Sequence, residues 1–145
     1  MRRKIFKQSE AGFTILEILA VLLLLAALYA IVGAAVGDQI EKGKRSAAKI
    51  QLGVFKTSLK EYKMDNGTYP STEQGLEALV RQPASQENWN GPYLDGDIPK
   101  DQWGNVYVYK SPGTHNPDSY DLYSMNSDGK EGGEDKKTAD ITNWK

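Results

Sequence analysis

Hydrophobic and polar positions divide the chain sharply. From Ile18 to Gly37 no residue is charged, and Ile18-Leu19-Ala20-Val21-Leu22-Leu23-Leu24-Leu25 leads into a milder stretch of Ala, Gly and Val. At about 1.5 Å per residue, roughly twenty such residues span a hydrocarbon core of about 30 Å. The stretch therefore predicts a membrane-crossing helix. Beyond it, Ala48, Leu52, Phe55, Leu59 and Tyr62 recur at spacings of 4, 3, 4 and 3, with Lys49, Gln51, Lys56, Lys60, Glu61 and Lys63 between them. That is one apolar stripe on a helix, which can lie on its own domain, face a partner, or do both. Asp65-Asn66-Gly67 supplies a stop, because Asn and Gly adopt the left-handed conformation that ends helices. One long helix is expected from Phe13 to about Met64.

A shorter pattern follows. Ser71 and Gln74 have the spacing of a capping box, Leu76, Leu79 and Val80 give a short helix an apolar side, and Pro83 closes it. From Gln82 to Gly104 the prolines at 83, 92 and 99 predict a loop, with Trp89, Tyr93 and Trp103 as packing anchors. Val106-Tyr107-Val108-Tyr109 and Tyr120-Asp121-Leu122-Tyr123 alternate as strands, separated by turn residues from Ser111 to Asp118. Two strands alone are marginal, so they must pack on the long helix in an α+β arrangement.

Composition narrows the chemistry. The 145 residues contain no Cys and one His, His115. Disulfides, thiolate nucleophiles, Cys-based metal sites and His-rich metal centres are all excluded. The net charge of -1 hides an asymmetry. Residues 1–12 carry Arg2, Arg3, Lys4 and Lys7 against Glu10, a net +3, while 14 basic and 18 acidic residues give residues 13–145 a net -4. A folded part that is acidic and lacks a basic stripe does not suit nucleic acid. No G-x-S-x-G turn or glycine-rich phosphate loop is present, and His115 sits in a Pro/Gly/Asn turn as an exposed polar residue. The chain does not read as an enzyme.

Three readings compete for the N-terminus. A secretory signal peptide could end at Ala35-Val36-Gly37, but the apolar run is too long and Glu17 sits awkwardly at its start. A plain anchor, held by the basic end under the positive-inside rule, leaves Glu17 unexplained. A carboxylate beside hydrocarbon costs a few kcal/mol unless paired, so Glu17 is either a functional group or one lying at headgroup level. The third reading places a cleavage site before the apolar run.

The stretch from Met125 to Asp140 holds Asp128, Glu131, Glu134, Asp135 and Asp140, five carboxylates within sixteen residues, interspersed with glycines. Hard oxygen donors without His or Cys suit calcium better than transition metals. An EF-hand is rejected, because its first position would be Ser124 and its twelfth Asp135, and a strand precedes it. On composition alone, a calcium loop and a solvated acidic loop partly neutralised by Lys130, Lys136 and Lys137 both remain open.

Gly12-Phe13-Thr14-Ile15-Leu16-Glu17, after a short basic leader and before the apolar run, resembles the class III signal of type IV pilins and pseudopilins. Tyr69-Pro70 through Leu79 resembles the region after the long helix in major pseudopilins of type II secretion systems. Asp101-Gln102-Trp103-Gly104 is similar to that family's Asp-Pro-Trp-Gly turn, with Gln102 where proline is usual, and Tyr120 to Trp144 resembles its calcium-binding C-terminal loop. One departure is the absence of the proline that many relatives carry in the apolar segment, where this chain has Ile31-Val32-Gly33-Ala34. A Gly33/Gly37 pair may not be equated with a proline kink.

The resemblance implies a type IV pilin-like α+β fold, a long N-terminal helix on a small antiparallel sheet with a C-terminal calcium loop. It implies three segments: a leader, residues 1–12, removed by a prepilin peptidase; a transmembrane and filament-core half-helix, residues 13–37; and a periplasmic domain, residues 38–145. The cut would fall between Gly12 and Phe13, with Phe13 then N-methylated and Glu17 pairing with the Phe13 amine of a neighbouring subunit. Asp128 and Asp140 would hold calcium by their side chains and Met125 and Lys130 by their backbone carbonyls, with Glu134, Asp135 or Thr138 completing the shell. The implied function is that of the major subunit of a helical pseudopilus that promotes export of folded proteins across the outer membrane of a diderm bacterium. Implied partners are further copies of the chain, minor pseudopilins, the inner-membrane assembly platform and the secretion ATPase, with no nucleic acid. Two rivals are a type IV pilin or minor pseudopilin, which would share the leader and Glu17 although true pilins commonly carry a C-terminal disulfide that zero Cys forbids, and a membrane-anchored calcium-binding module that does not polymerise.

Overall fold

The computed structural model describes residues 12–135 and 138–144. It divides into two units, one ending at Gln39 and one beginning at Ile40, and helix α1 (Ile15–Asn66) contributes to both. The first unit's part of α1 is long and apolar enough to cross a membrane, and no residue of its apolar window is buried among the described residues. Leu22, Leu23, Leu24, Leu25, Leu28 and Ile31 are each more than half exposed.

In the second unit the predicted stripe is the buried face of α1: Ala48, Leu52, Phe55, Leu59 and Tyr62 all lie in the core, joined by Ser58. Each large apolar side chain so buried contributes about 1.5–3 kcal/mol relative to exposure. The helix ends two residues later than the expected Met64, where the Gly67 amide donates to the Lys63 carbonyl (2.8 Å) with Gly67 at φ 81°. The left-handed turn that Asn66-Gly67 signalled is thus the stop.

The capping box forms as its spacing predicts. The Ser71 amide donates to Gln74 Oε1 (2.8 Å) and the Gln74 amide to Ser71 Oγ (3.2 Å). The element that follows is a single 3-10 turn, Leu76–Leu79, which buries Leu76, Ala78 and Leu79. The loop aromatics act as anchors. Trp89 Nε1 donates to the Ala78 carbonyl (2.8 Å), Tyr93 packs edge-on against both Tyr62 and Trp89, and Trp103 Nε1 donates to Glu41 Oε2 (3.3 Å).

The sheet has three antiparallel strands in the order β1-β2-β3: β1 (Val108–Lys110), β2 (Asp121–Ser124) and β3 (Ile141–Thr142). Val108 lies opposite Tyr123, and Tyr123 opposite Thr142. Two expectations shift. β1 starts later than Val106, because the Asn105 carbonyl and amide are both bonded to Asp101. β2 starts after Tyr120, whose carbonyl accepts side-chain amides from Asn116 (3.1 Å) and Asn143 (3.0 Å) in place of a ladder partner. β3 was not expected, since two residues carry no alternation and pair only across a long loop. Phe55 meets Tyr107 edge-to-face at 5.1 Å, and Leu122 and Ile141 complete the core between helix and sheet.

Candidate functional site

The expected site residues fall at opposite ends of the chain. Gly12 and Phe13 lie in the irregular residues before α1, with Phe13 80% exposed and, among the described residues, no atom beyond its chain neighbours within 4 Å of a Cβ placed on Gly12. The basic leader before them lies outside the described residues. Glu17 stands in the first turn of α1. Its amide donates to Thr14 Oγ1 (3.2 Å), and its Oε2 accepts the Thr14 amide (3.4 Å). This is a second capping box, signalled by the Thr-x-x-Glu spacing, a local role beyond the membrane charge and subunit pairing expected of Glu17. It folds the carboxylate back toward residue 13, at the positive end of the helix dipole.

The acidic loop is closed by its own backbone. The Gly132 amide donates to Asp140 Oδ2 (2.8 Å), while the Asp140 amide donates to the Gly132 carbonyl (3.1 Å). A Cβ on Gly133, where φ is +98°, would run into the Thr138 carbonyl, so glycine permits that close approach. Asp128 ends a 3-10 turn, Asn126–Asp128, and its Oδ1 accepts the Lys130 amide (3.2 Å), with Gly129 in the left-handed region behind it. Burial raises the pKa of Asp140 most, the Gly132 amide opposes this, and the charges of Asp128 and Glu131 raise it further. Asp128, Glu131 and Asp140 therefore share one electrostatic neighbourhood.

The other expected ligands are spread along the same loop. Met125 immediately precedes the 3-10 turn and Lys130 follows Gly129. Asp135 closes a turn of its own, accepting the Thr138 amide on Oδ1 (2.9 Å) and the Ala139 amide on its carbonyl. Glu134 is exposed. Among the described residues no group of three or more Asp, Glu or His side chains stands ready to hold an ion. Tyr123, beside the loop, is pushed up to about 12 by burial and then by its hydrogen bond to Glu131.

Sequence reasoning missed a second cluster. Asp121, only 3% exposed, accepts the amides of Thr114 (2.7 Å) and His115 (2.8 Å) on Oδ2 and that of Asn116 (3.0 Å) on Oδ1. Burial would push this carboxyl up, but those bonds and the His115 ring hold it below the usual carboxylate range. His115, expected to be merely an exposed turn residue, places Nδ1 3.1 Å from Asp121 Oδ2 and stacks on Trp144 at 4.1 Å with an interplanar angle of 7°. The pair fastens the C-terminal segment to the turn before β2.

A bare apolar half-helix leading into a helix-on-sheet domain defines a pilin-like fold. The crystal structure of the major pseudopilin from the type 2 secretion system of enterohaemorrhagic Escherichia coli superposes with a TM-score of 0.60 at 33% identity, covering 74% of this chain and 91% of that one. The type II secretion system core protein G of Pseudomonas aeruginosa is 43% identical over 95% of this chain and 97% of its own length. That of Vibrio cholerae is 40% identical over 94% and 93%. The family described as Type II secretion system (T2SS), protein G, matches residues 35–144. The chain belongs to this family.

Proposed function

We propose that the chain is the structural major subunit of a type II secretion pseudopilus. Subunits wait in the inner membrane by the apolar half of α1, with the sheet domain in the periplasm. They then polymerise into a filament that promotes export of folded proteins across the outer membrane. The observation that carries this reading, beside family membership, is that no residue of the apolar window of α1 is buried among the described residues. Lipid can cover that surface before assembly and other copies can cover it afterwards. The assembly platform, the secretion ATPase and minor pseudopilins are the partners such a role requires.

Processing would cut between Gly12 and Phe13, both accessible, and N-methylate Phe13. The cut frees an ammonium beside a carboxylate already folded back by its capping box. In an apolar filament core neither charge is tolerable alone, so pairing Glu17 with the Phe13 amine of a neighbouring subunit sets axial register as well as energy. The test is the N-terminal peptide mass from cells containing a prepilin peptidase, together with Glu17→Ala. A chain beginning at methylated Phe13, and a variant that inserts in the membrane but forms no filaments, support the reading. A chain beginning at Met1 or Asp38, or filaments unaffected by Glu17→Ala, overturns it.

The acidic loop fits calcium. Asp140 Oδ1 is buried and has no hydrogen-bond partner among the described residues, although Asp128 and Glu131 crowd it with like charge. The Asp128 and Asp140 side chains and the Met125 and Lys130 carbonyls would hold the ion, and Glu134, Asp135 or Thr138 would complete the shell, since among the described residues no ready-made group of three acidic side chains does so alone. Calcium accepts six to eight mixed oxygen donors of this kind. When bound it supplies positive charge that offsets the carboxylate repulsion and ties the two ends of the loop together.

A further inference from the structure

A chain of buried polar side chains runs from α1 to the acidic loop. Asp101, Ser124 and Asn126 are 6%, 0% and 0% exposed. Asp101 Oδ1 accepts the amides of Trp103 (3.0 Å) and Asn105 (2.8 Å), and its Oδ2 accepts the Ser124 hydroxyl (2.6 Å). Ser124 Oγ in turn accepts the Asn126 amide (3.1 Å), and the Asn126 carbonyl accepts Asn105 Nδ2 (2.7 Å). Held on both sides, Asn126 adopts φ 58°, the one positive φ of a non-glycine residue among those described. Its Nδ2 then donates to the Ala139 carbonyl (3.0 Å), and Arg45 Nη1 of α1 donates to the same oxygen (3.1 Å).

Two positions matter. Asn126 precedes Asp128 by two residues, and Ala139 immediately precedes Asp140. The bond between them ties the two ends of the loop together through protein groups alone, and Arg45 fastens that junction to α1 three residues before the buried stripe begins at Ala48. A strained backbone position and three buried polar groups persist only where their surroundings enforce them, and such devices gather at functional sites.

We propose that Asn126 and Arg45 are positioning residues of the cation loop: they preorganise Asp128 and Asp140 for the ion and link its occupancy to the C-terminal half of α1. This rests on the loop being the calcium site. Preorganisation raises affinity by removing ordering cost from the binding step, and residues that orient ligands from behind are commonly worth ten- to hundredfold in metal affinity.

The test uses the full chain in detergent micelles. Calcium binding is measured by titration calorimetry, and amide hydrogen exchange at Gly132 and Asp140 is measured without calcium. Arg45→Met removes the donor from a half-buried position, Arg45→Lys returns one, and Asn126→Gly keeps the left-handed backbone while deleting the side-chain donor. Arg45→Met and Asn126→Gly should each weaken calcium binding about tenfold or more and speed exchange at both amides, with Arg45→Lys recovering most of the loss. Wild-type affinity in Arg45→Met overturns the proposal, even if the melting temperature falls, because the contact is then structural only. If the wild-type chain takes up no calcium, the calcium reading fails and the ion-positioning claim with it. Faster exchange in Arg45→Met would then still establish the mechanical link to α1, and unchanged exchange would remove that too.

Discussion

Asp140→Asn should separate the two roles of the acidic loop, because its effects with and without calcium differ. Without calcium, Asn still offers an oxygen to the Gly132 amide, but a charge-assisted bond becomes a neutral one, a loss of about 1 kcal/mol. Against this, the substitution relieves the burial of a charge, the main cause of the raised Asp140 pKa, and the repulsion from Asp128 and Glu131 that raises it further, a gain of similar order for partly exposed charges. The two nearly cancel, so the calcium-free melting temperature should stay within about 5 °C of wild type, since 1 kcal/mol moves a domain of this size by about that much. At a calcium concentration one hundred times Kd, the wild-type protein should gain about 2.7 kcal/mol, or roughly 12 °C. Asp140→Asn should gain almost none of it. The assay is thermal unfolding followed by near-ultraviolet circular dichroism, with calcium and with chelator. A wild-type melting temperature indifferent to calcium, or a variant that keeps the full gain, would refute the assignment of Asp140.

Two further predictions concern the domain itself. Leu59 is fully buried on the core face of α1, so Leu59→Ala should cost about 2–5 kcal/mol in urea unfolding with an unchanged m-value, and a cost below 1 kcal/mol would mean that the stripe is not the core. Asp121 is held below the usual carboxylate range in the folded chain, so its stabilising contribution is complete above the unfolded-state value near 4 and is lost as pH falls through the lower folded value. Asp121→Asn should therefore be less stable than wild type by about 1–3 kcal/mol at pH 7, with the gap closing in acid below about pH 4, and a pH-independent gap would contradict the hydrogen-bonded anion.

What could be read from the residues depends on how far each residue's partner lies along the chain. The α1 stripe was legible because burial on a helix repeats every three to four residues, so Ala48 to Tyr62 report one another. The Ser71–Gln74 box and the Gly67 stop are likewise contained within a few positions. Thr14–Glu17 shows that even local grammar is obscured when a stronger signal overlies it, since a carboxylate next to hydrocarbon points first to the membrane and to charge pairing and not to a helix cap. β3 had no such grammar, because Ile141 and Thr142 become a strand only by meeting Ser124 and Tyr123. His115 belongs to the same class, as its role is set by Asp121 six residues on and by Trp144 at the far end of the chain.

The acidic loop lies between these cases. Its carboxylates announce themselves by composition, but what brings Asp128 toward Asp140 is Asn126, whose side chain reaches a carbonyl thirteen residues away. The available hint was that Asn, followed by Ser-Asp-Gly, belongs to the few residue types that tolerate a left-handed backbone. Nothing in that tetrapeptide points to Arg45, ninety-four residues from Ala139. Candidate carboxylates are therefore readable from a single sequence, whereas the residues that position them are not, because positioning depends on tertiary neighbours. Substitutions at Asn126 and Arg45 consequently test the folded arrangement in a way that deleting the carboxylates themselves does not.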